Sequence, residues 1–88
     1  LIDLCAAGGT ELVLLDVPVA ADLEAAFPAA FAEYRFRLAE LERDRGVRVI
    51  RMTRADVGLT DAEFADVVHL NRVGAARLSD RVRAALAR

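Results

Sequence analysis

Glu11-Leu12-Val13-Leu14-Leu15-Asp16-Val17-Pro18 is the stretch on which the fold turns. Leu12 to Leu15 is a continuous apolar run, the pattern of a strand buried on both faces of a parallel sheet. Pro18 ends it, because proline has no N–H to give to a sheet ladder. Upstream, Leu1, Leu4 and Cys5 recur at helical spacing, and Gly8-Gly9 stops that segment. Leu1 to Ala7 therefore reads as the tail of a helix whose start lies elsewhere. Downstream, Val19 to Pro28 is a connection with room for helical turns. A long helix should then run from about Pro28 to Arg45, with proline in its first turn and Gly46 as its stop. Its apolar stripe is Phe27, Phe31, Tyr34, Leu38 and Leu41. Glu33 and Arg37, four apart, should add roughly 0.2–0.5 kcal/mol on the solvent side.

Val47 to Met52 predicts a second strand, partly alternating and so nearer an edge. Thr60-Asp61-Ala62-Glu63 has the form of a capping box and should open a short helix through Phe64 and Ala65. The last helix should begin near Arg72 behind Asn71 as N-cap, burying Ala75, Leu78, Val82, Ala85 and Leu86. Strands alternating with helices imply an α/β fold with parallel pairing through crossovers. Two parallel strands make a poor sheet, and a buried strand wants neighbours on both edges. The expectation is therefore that residues 1–88 belong to a larger domain, whose remainder is the first partner implied.

Composition narrows the function classes. Hydrophobic residues make up 56% of the 88, too many for a disordered tail. Twelve basic residues, all arginine, face fourteen acidic ones, so nucleic acid is not an expected partner. No apolar run is long enough for a membrane span, and the first residues lack the basic flank of a signal peptide. One cysteine and one histidine provide neither a disulfide nor a zinc set. Cys5 reads as a small buried apolar residue. No metal or other cofactor is expected.

Chemistry concentrates in Phe64-Ala65-Asp66-Val67-Val68-His69-Leu70-Asn71-Arg72-Val73-Gly74 and on to Ser79. Asp66 and His69 are three apart. One tight turn between them would set the carboxylate on Nδ1 of the imidazole and leave Nε2 free as a general base. Asn71 would cap the helix, and Gly74 would let its first turn pack against the sheet. The bland alternative is a histidine held by Asp66 for structural reasons only, with Asp66 in the C-terminal cap region of the Thr60 helix. Asp16 and Asp56 each fall near the C-terminal end of a strand, the edge where open α/β sheets bind ligands. Arginines 35, 37, 43 and 45 read as a solvated helix face, while Arg51 and Arg54 are candidates for steering an anion.

Asp66-Val67-Val68-His69-Leu70-Asn71, with Gly74 and Ser79 in register, resembles the last motif block of the SGNH hydrolases, the GDSL-type esterases and lipases. The strand ending in Pro18, the long helix and the strand after Gly46-Val47 agree with that resemblance along essentially the whole chain. It implies a flavodoxin-like three-layer α/β/α sandwich, of which residues 1–88 would be the C-terminal part and the N-terminal half of the same domain the missing partner. It also implies a serine esterase or O-acyltransferase, acting on a small-molecule or carbohydrate ester. The aspartate and histidine of the triad would fall on Asp66 and His69. The Phe-x-Asp-x-x-His-Leu-Asn form resembles the envelope polysaccharide acyltransferase branch, which leans toward a cell-envelope location. The family's nucleophile and oxyanion-hole blocks have no match here. Ser79, the sole serine, stands where the family has a non-catalytic residue. The serine is accordingly expected upstream, and this chain alone is expected to be inactive. The competing class is a non-catalytic α/β interaction module. A receiver-like or flavodoxin-like ligand domain would need a phosphate loop or acidic cluster after the first strand, and Val17-Pro18-Val19-Ala20 is neither.

Overall fold

The computed structural model describes residues 1–87. The chain is mixed α/β. In order come α1 (Ile2–Ala7), β1 (Val13–Asp16), α2 (Ala21–Ala26), α3 (Pro28–Arg45), β2 (Arg48–Arg51), α4 (Arg54–Val57), a 3-10 turn (Asp61–Glu63) and α5 (Arg72–Leu86). β1 and β2 pair in parallel, with Val13 opposite Arg48 and Asp16 opposite Arg51. The Met52 N–H extends the ladder to the Asp16 carbonyl at 2.8 Å. Parallel strands need a crossover, and α2 with α3 supplies it.

Local chemistry sets the boundaries. α3 begins on Pro28 and ends at Gly46, which takes φ 65° and lets Val47 N–H return to the Leu41 carbonyl. Arg37 lies 3.8 Å from Glu33 and 2.9 Å from Glu40 along its exposed side. α4 was not foreseen. Thr53 caps it, with its hydroxyl accepting from Asp56 N–H and the Asp56 carboxylate accepting from Thr53 N–H, and Gly58 closes it at φ 76°. The Thr60–Glu63 capping box forms as expected, yet only a 3-10 turn follows. Phe64 is extended instead and bridges to Leu70, because the chain must turn back there to reach α5.

The core consists of Ala20, Leu38, Val47, Val49, Ile50, Met52 and Leu59. It is thin: among the described residues no large side chain is fully buried. The surface is 5965 Å², against about 5,000 Å² for a compact monomer of this mass. The radius of gyration is 14.4 Å, against about 12 Å for a compact chain of this length. Several expectations about packing fail for this reason. No residue of Leu12 to Leu15 is buried, and β1 has one neighbour rather than two. Asp16 is the residue of β1 that is buried. Cys5 is half-exposed. In the α3 stripe only Leu38 is buried, while Phe27 and Tyr34 stand in solvent. In α5, Leu78, Val82 and Ala85 are half-buried, but Ala75 and Leu86 are exposed. The arginine face of α3 is not simply solvated either. Arg35 reaches Glu24 and lies over the Phe31 ring, and Arg45 ties α1 to α3 through Asp3.

Candidate functional site

The turn between the 3-10 segment and α5 is built from hydrogen bonds its own sequence supplies. Ala65 N–H donates to the His69 carbonyl at 2.8 Å, closing a short loop. Inside it Asp66 folds over its own backbone. Its Oδ1 accepts from Val68 N–H at 2.9 Å and His69 N–H at 2.8 Å, the Asx geometry open to a short carboxylate. That placement delivers the same carboxylate to the imidazole: His69 Nδ1 lies 2.9 Å from Oδ1 and 2.8 Å from Oδ2. An ionised carboxylate only accepts, so Nδ1 carries the proton and Nε2 of the neutral ring is left as the basic nitrogen. Nε2 has no hydrogen-bond partner among the described residues.

These contacts hold Asp66 below the ordinary aspartate range. The Val68 N–H contributes most, followed by the His69 side chain, with desolvation opposing. The dyad is open to solvent, the side chains of His69 and Asp66 being 72% and 56% exposed.

The two ends of the turn are clamped. Asn71 caps α5, its Oδ1 accepting from Gly74 N–H at 3.0 Å. Its Nδ2 and backbone N–H donate to the carbonyls of Ala62 and Glu63 at 2.7 and 2.8 Å. The Glu63 carboxylate is buried. It accepts from Thr60 N–H at 3.0 Å and from Arg77 at 2.9 Å, contacts that hold it below the ordinary glutamate range, Thr60 first. Gly74 permits a close approach as predicted, but to a different neighbour. A Cβ there would sit 2.5 Å from the Glu63 carbonyl, so at Gly74 the helix meets the 3-10 turn, while Arg48 of β2 donates to the Ala85 carbonyl near the other end of α5 at 2.7 Å.

The turn lies beyond the C-terminal end of β1, where Ala20 N–H donates to the Val67 carbonyl at 3.0 Å. That is the side of an open α/β sheet that carries ligand sites.

Other candidates go elsewhere. Asp56 is spent on the Thr53 cap, where bonds to Thr53 depress its pKa. Arg51 pairs with Glu42, and Arg54 lies 3.8 Å from Glu24, so neither is a free anion-steering group. Asp16 faces a separate cleft with Tyr34, a residue the helical period had assigned to the core stripe. The Thr53-x-x-Asp56 spacing with Gly58 behind it was the overlooked signal for α4. Ser79 lies eight residues past the α5 N-cap, about 12 Å along the axis, and no hydroxyl or thiol among the described residues bonds to His69. Comparison with family models, with curated proteins and with solved structures finds no match for this chain.

Proposed function

We propose that Asp66 and His69 are the orienting carboxylate and the general base of a Ser-His-Asp triad in an SGNH-type esterase or O-acyltransferase, with the serine on a segment upstream of these residues. One observation carries the reading: a carboxylate seated on Nδ1 leaves Nε2 unpartnered on the ligand-binding side of a parallel sheet. Asp66 would fix the tautomer and stabilise the imidazolium. His69 would take the serine proton as the serine attacks the ester carbonyl, then return it to the leaving alcohol. Water or a sugar hydroxyl would resolve the acyl-enzyme. The exposure of the dyad and the lone pairing of β1 support a larger three-layer sandwich, in which further strands cover β1 and bring the nucleophile over Nε2.

The test is ester hydrolysis by the native polypeptide that contains this chain, with p-nitrophenyl acetate as substrate. With the fold intact, Asp66→Asn should cost about 10⁴-fold in kcat and His69→Ala about 10⁶-fold. Undiminished hydrolysis in a folded His69→Ala variant refutes the triad. The structural alternative is favoured by the Asx bonds of Asp66 to the turn. It predicts no hydrolysis in the parent protein and a loss of stability in Asp66→Ala.

A further inference from the structure

Every arginine among the described residues but one has a carboxylate or carbonyl partner. The exception is Arg72, exposed at the first position of α5, which forms no hydrogen bond or salt bridge among the described residues. Acids are not scarce, since fourteen face twelve arginines across the chain. Local preference does not place a cation there either. The first turn of α5 holds no acidic residue, and Arg72 stands against the positive end of the helix dipole. The Thr53 and Thr60 caps, by contrast, are followed by Asp56 and by Asp61 with Glu63. Charges set against local preference concentrate at functional sites.

Arg72 shares the clamp that positions the dyad. Asn71, directly before it, is tied to the carbonyls of Ala62 and Glu63 at 2.7 and 2.8 Å. His69 is three residues away, a Cα separation of at most about 11 Å. From Val67 to Ala76 the only ionisable side chains are His69 and Arg72, with Val67, Val68 and Val73 exposed beside them. The next cation along α5, Arg77, is taken by Glu63 at 2.9 Å.

We infer that Arg72 is a specificity residue that binds an oxyanion on the non-reacting part of the substrate, so that the enzyme prefers anionic esters to neutral ones. The inference rests on the triad reading and adds the charge of the substrate to it. A guanidinium meets a carboxylate or sulfonate with two parallel N–H···O bonds, which fixes orientation as well as charge. With the ester carbonyl at Nε2, the anion need lie only about one small ring away. The steering that sequence assigned to Arg51 and Arg54 falls to Arg72, because those two are held by Glu42 and Glu24.

The experiment uses the native polypeptide that contains this chain. It measures kcat and KM for 4-acetoxybenzoate and 4-acetoxybenzenesulfonate, both anionic, and for neutral methyl 4-acetoxybenzoate. Comparing variant with parent on the same ester cancels differences in leaving group. Arg72→Gln should lower kcat/KM about tenfold on at least one anionic ester, through KM, and change the neutral ester by less than about twofold. Arg72→Glu should lower the anionic esters further. A carboxylate at that position favours the helix, so this loss cannot come from a weakened fold. If the parent hydrolyses the esters and the two variants lose anionic and neutral esters alike, or lose neither, Arg72 has no such role and the triad stands. If the parent hydrolyses none of the three, the triad reading fails and this inference fails with it.

Discussion

Replacing Gly74 with alanine separates two physical effects of opposite sign. Gly74 is the third residue of α5, and helix propensity alone makes Gly→Ala favourable by at most about 1 kcal/mol. The structure opposes it. The new Cβ would lie 2.5 Å from the Glu63 carbonyl oxygen, 3.0 Å from Leu70 Cδ2 and 3.1 Å from Glu63 Cβ. The first of these is backbone and cannot rotate away. That carbonyl also accepts the Asn71 N–H at 2.8 Å, so relieving the clash by moving α5 outward breaks the bond that joins the turn to the helix. Overpacking of this kind costs about 1–3 kcal/mol, and the lost bond about 1 kcal/mol more. Subtracting the propensity gain leaves a net destabilisation of about 2 kcal/mol. For a chain of this size that is a fall in Tm of roughly 8–16 °C. Urea unfolding followed by circular dichroism reads ΔG directly, and the m-value checks that the denatured state is unchanged. A Gly74→Ala variant more stable than the parent would refute the packing of α5 on the 3-10 turn, and with it the clamp that positions His69.

Two further predictions test the turn and the core. The Asp66 pKa is depressed in the folded chain by the Val68 N–H first and the His69 side chain next. The stability it contributes is therefore present above the ordinary aspartate pKa and is lost as pH falls through the lower, folded value. A ¹³C carboxyl titration should place the Asp66 midpoint below that of an unstructured aspartate, and a midpoint at or above it contradicts the geometry. In α3, Leu38→Ala should cost about 2–3 kcal/mol in urea unfolding, as a buried leucine does, while the exposed Phe36→Ala stays within about 0.5 kcal/mol. Equal costs would mean that α3 buries a different face.

Local signals in the chain carried through where they act within one turn of backbone. The bounds of α3 followed from Pro28 and Gly46, the Thr60–Glu63 box from its spacing, and the start of α5 from Asn71. The Asp66–His69 pair was legible for the same reason, since three residues of loop leave the two side chains within reach. The α4 cap is equally local, with aspartate in the place usual for glutamate.

Burial was not legible in this way. Periodicity states which residues share a face, and it does not state whether anything lies against that face. Tyr34 and Leu38 fall on one stripe, yet Leu38 is in the core and Tyr34 lines a cleft. The apolar run of β1 reads as a central strand, and its only strand neighbour among the described residues is β2. By itself the sequence determined the two strands, the bounds of α3, the Thr60–Glu63 box, the Asn71 cap of α5 and the Asp-His turn, all set by local spacings. Only the tertiary structure decided that Asp16 is buried and shares a cleft with Tyr34, that Gly74 meets Glu63, and that the His69 side chain stands largely in solvent. The first two depend on residues ten or more apart, whose distances are fixed by packing and not by the chain between them, and the third on whether anything covers the turn.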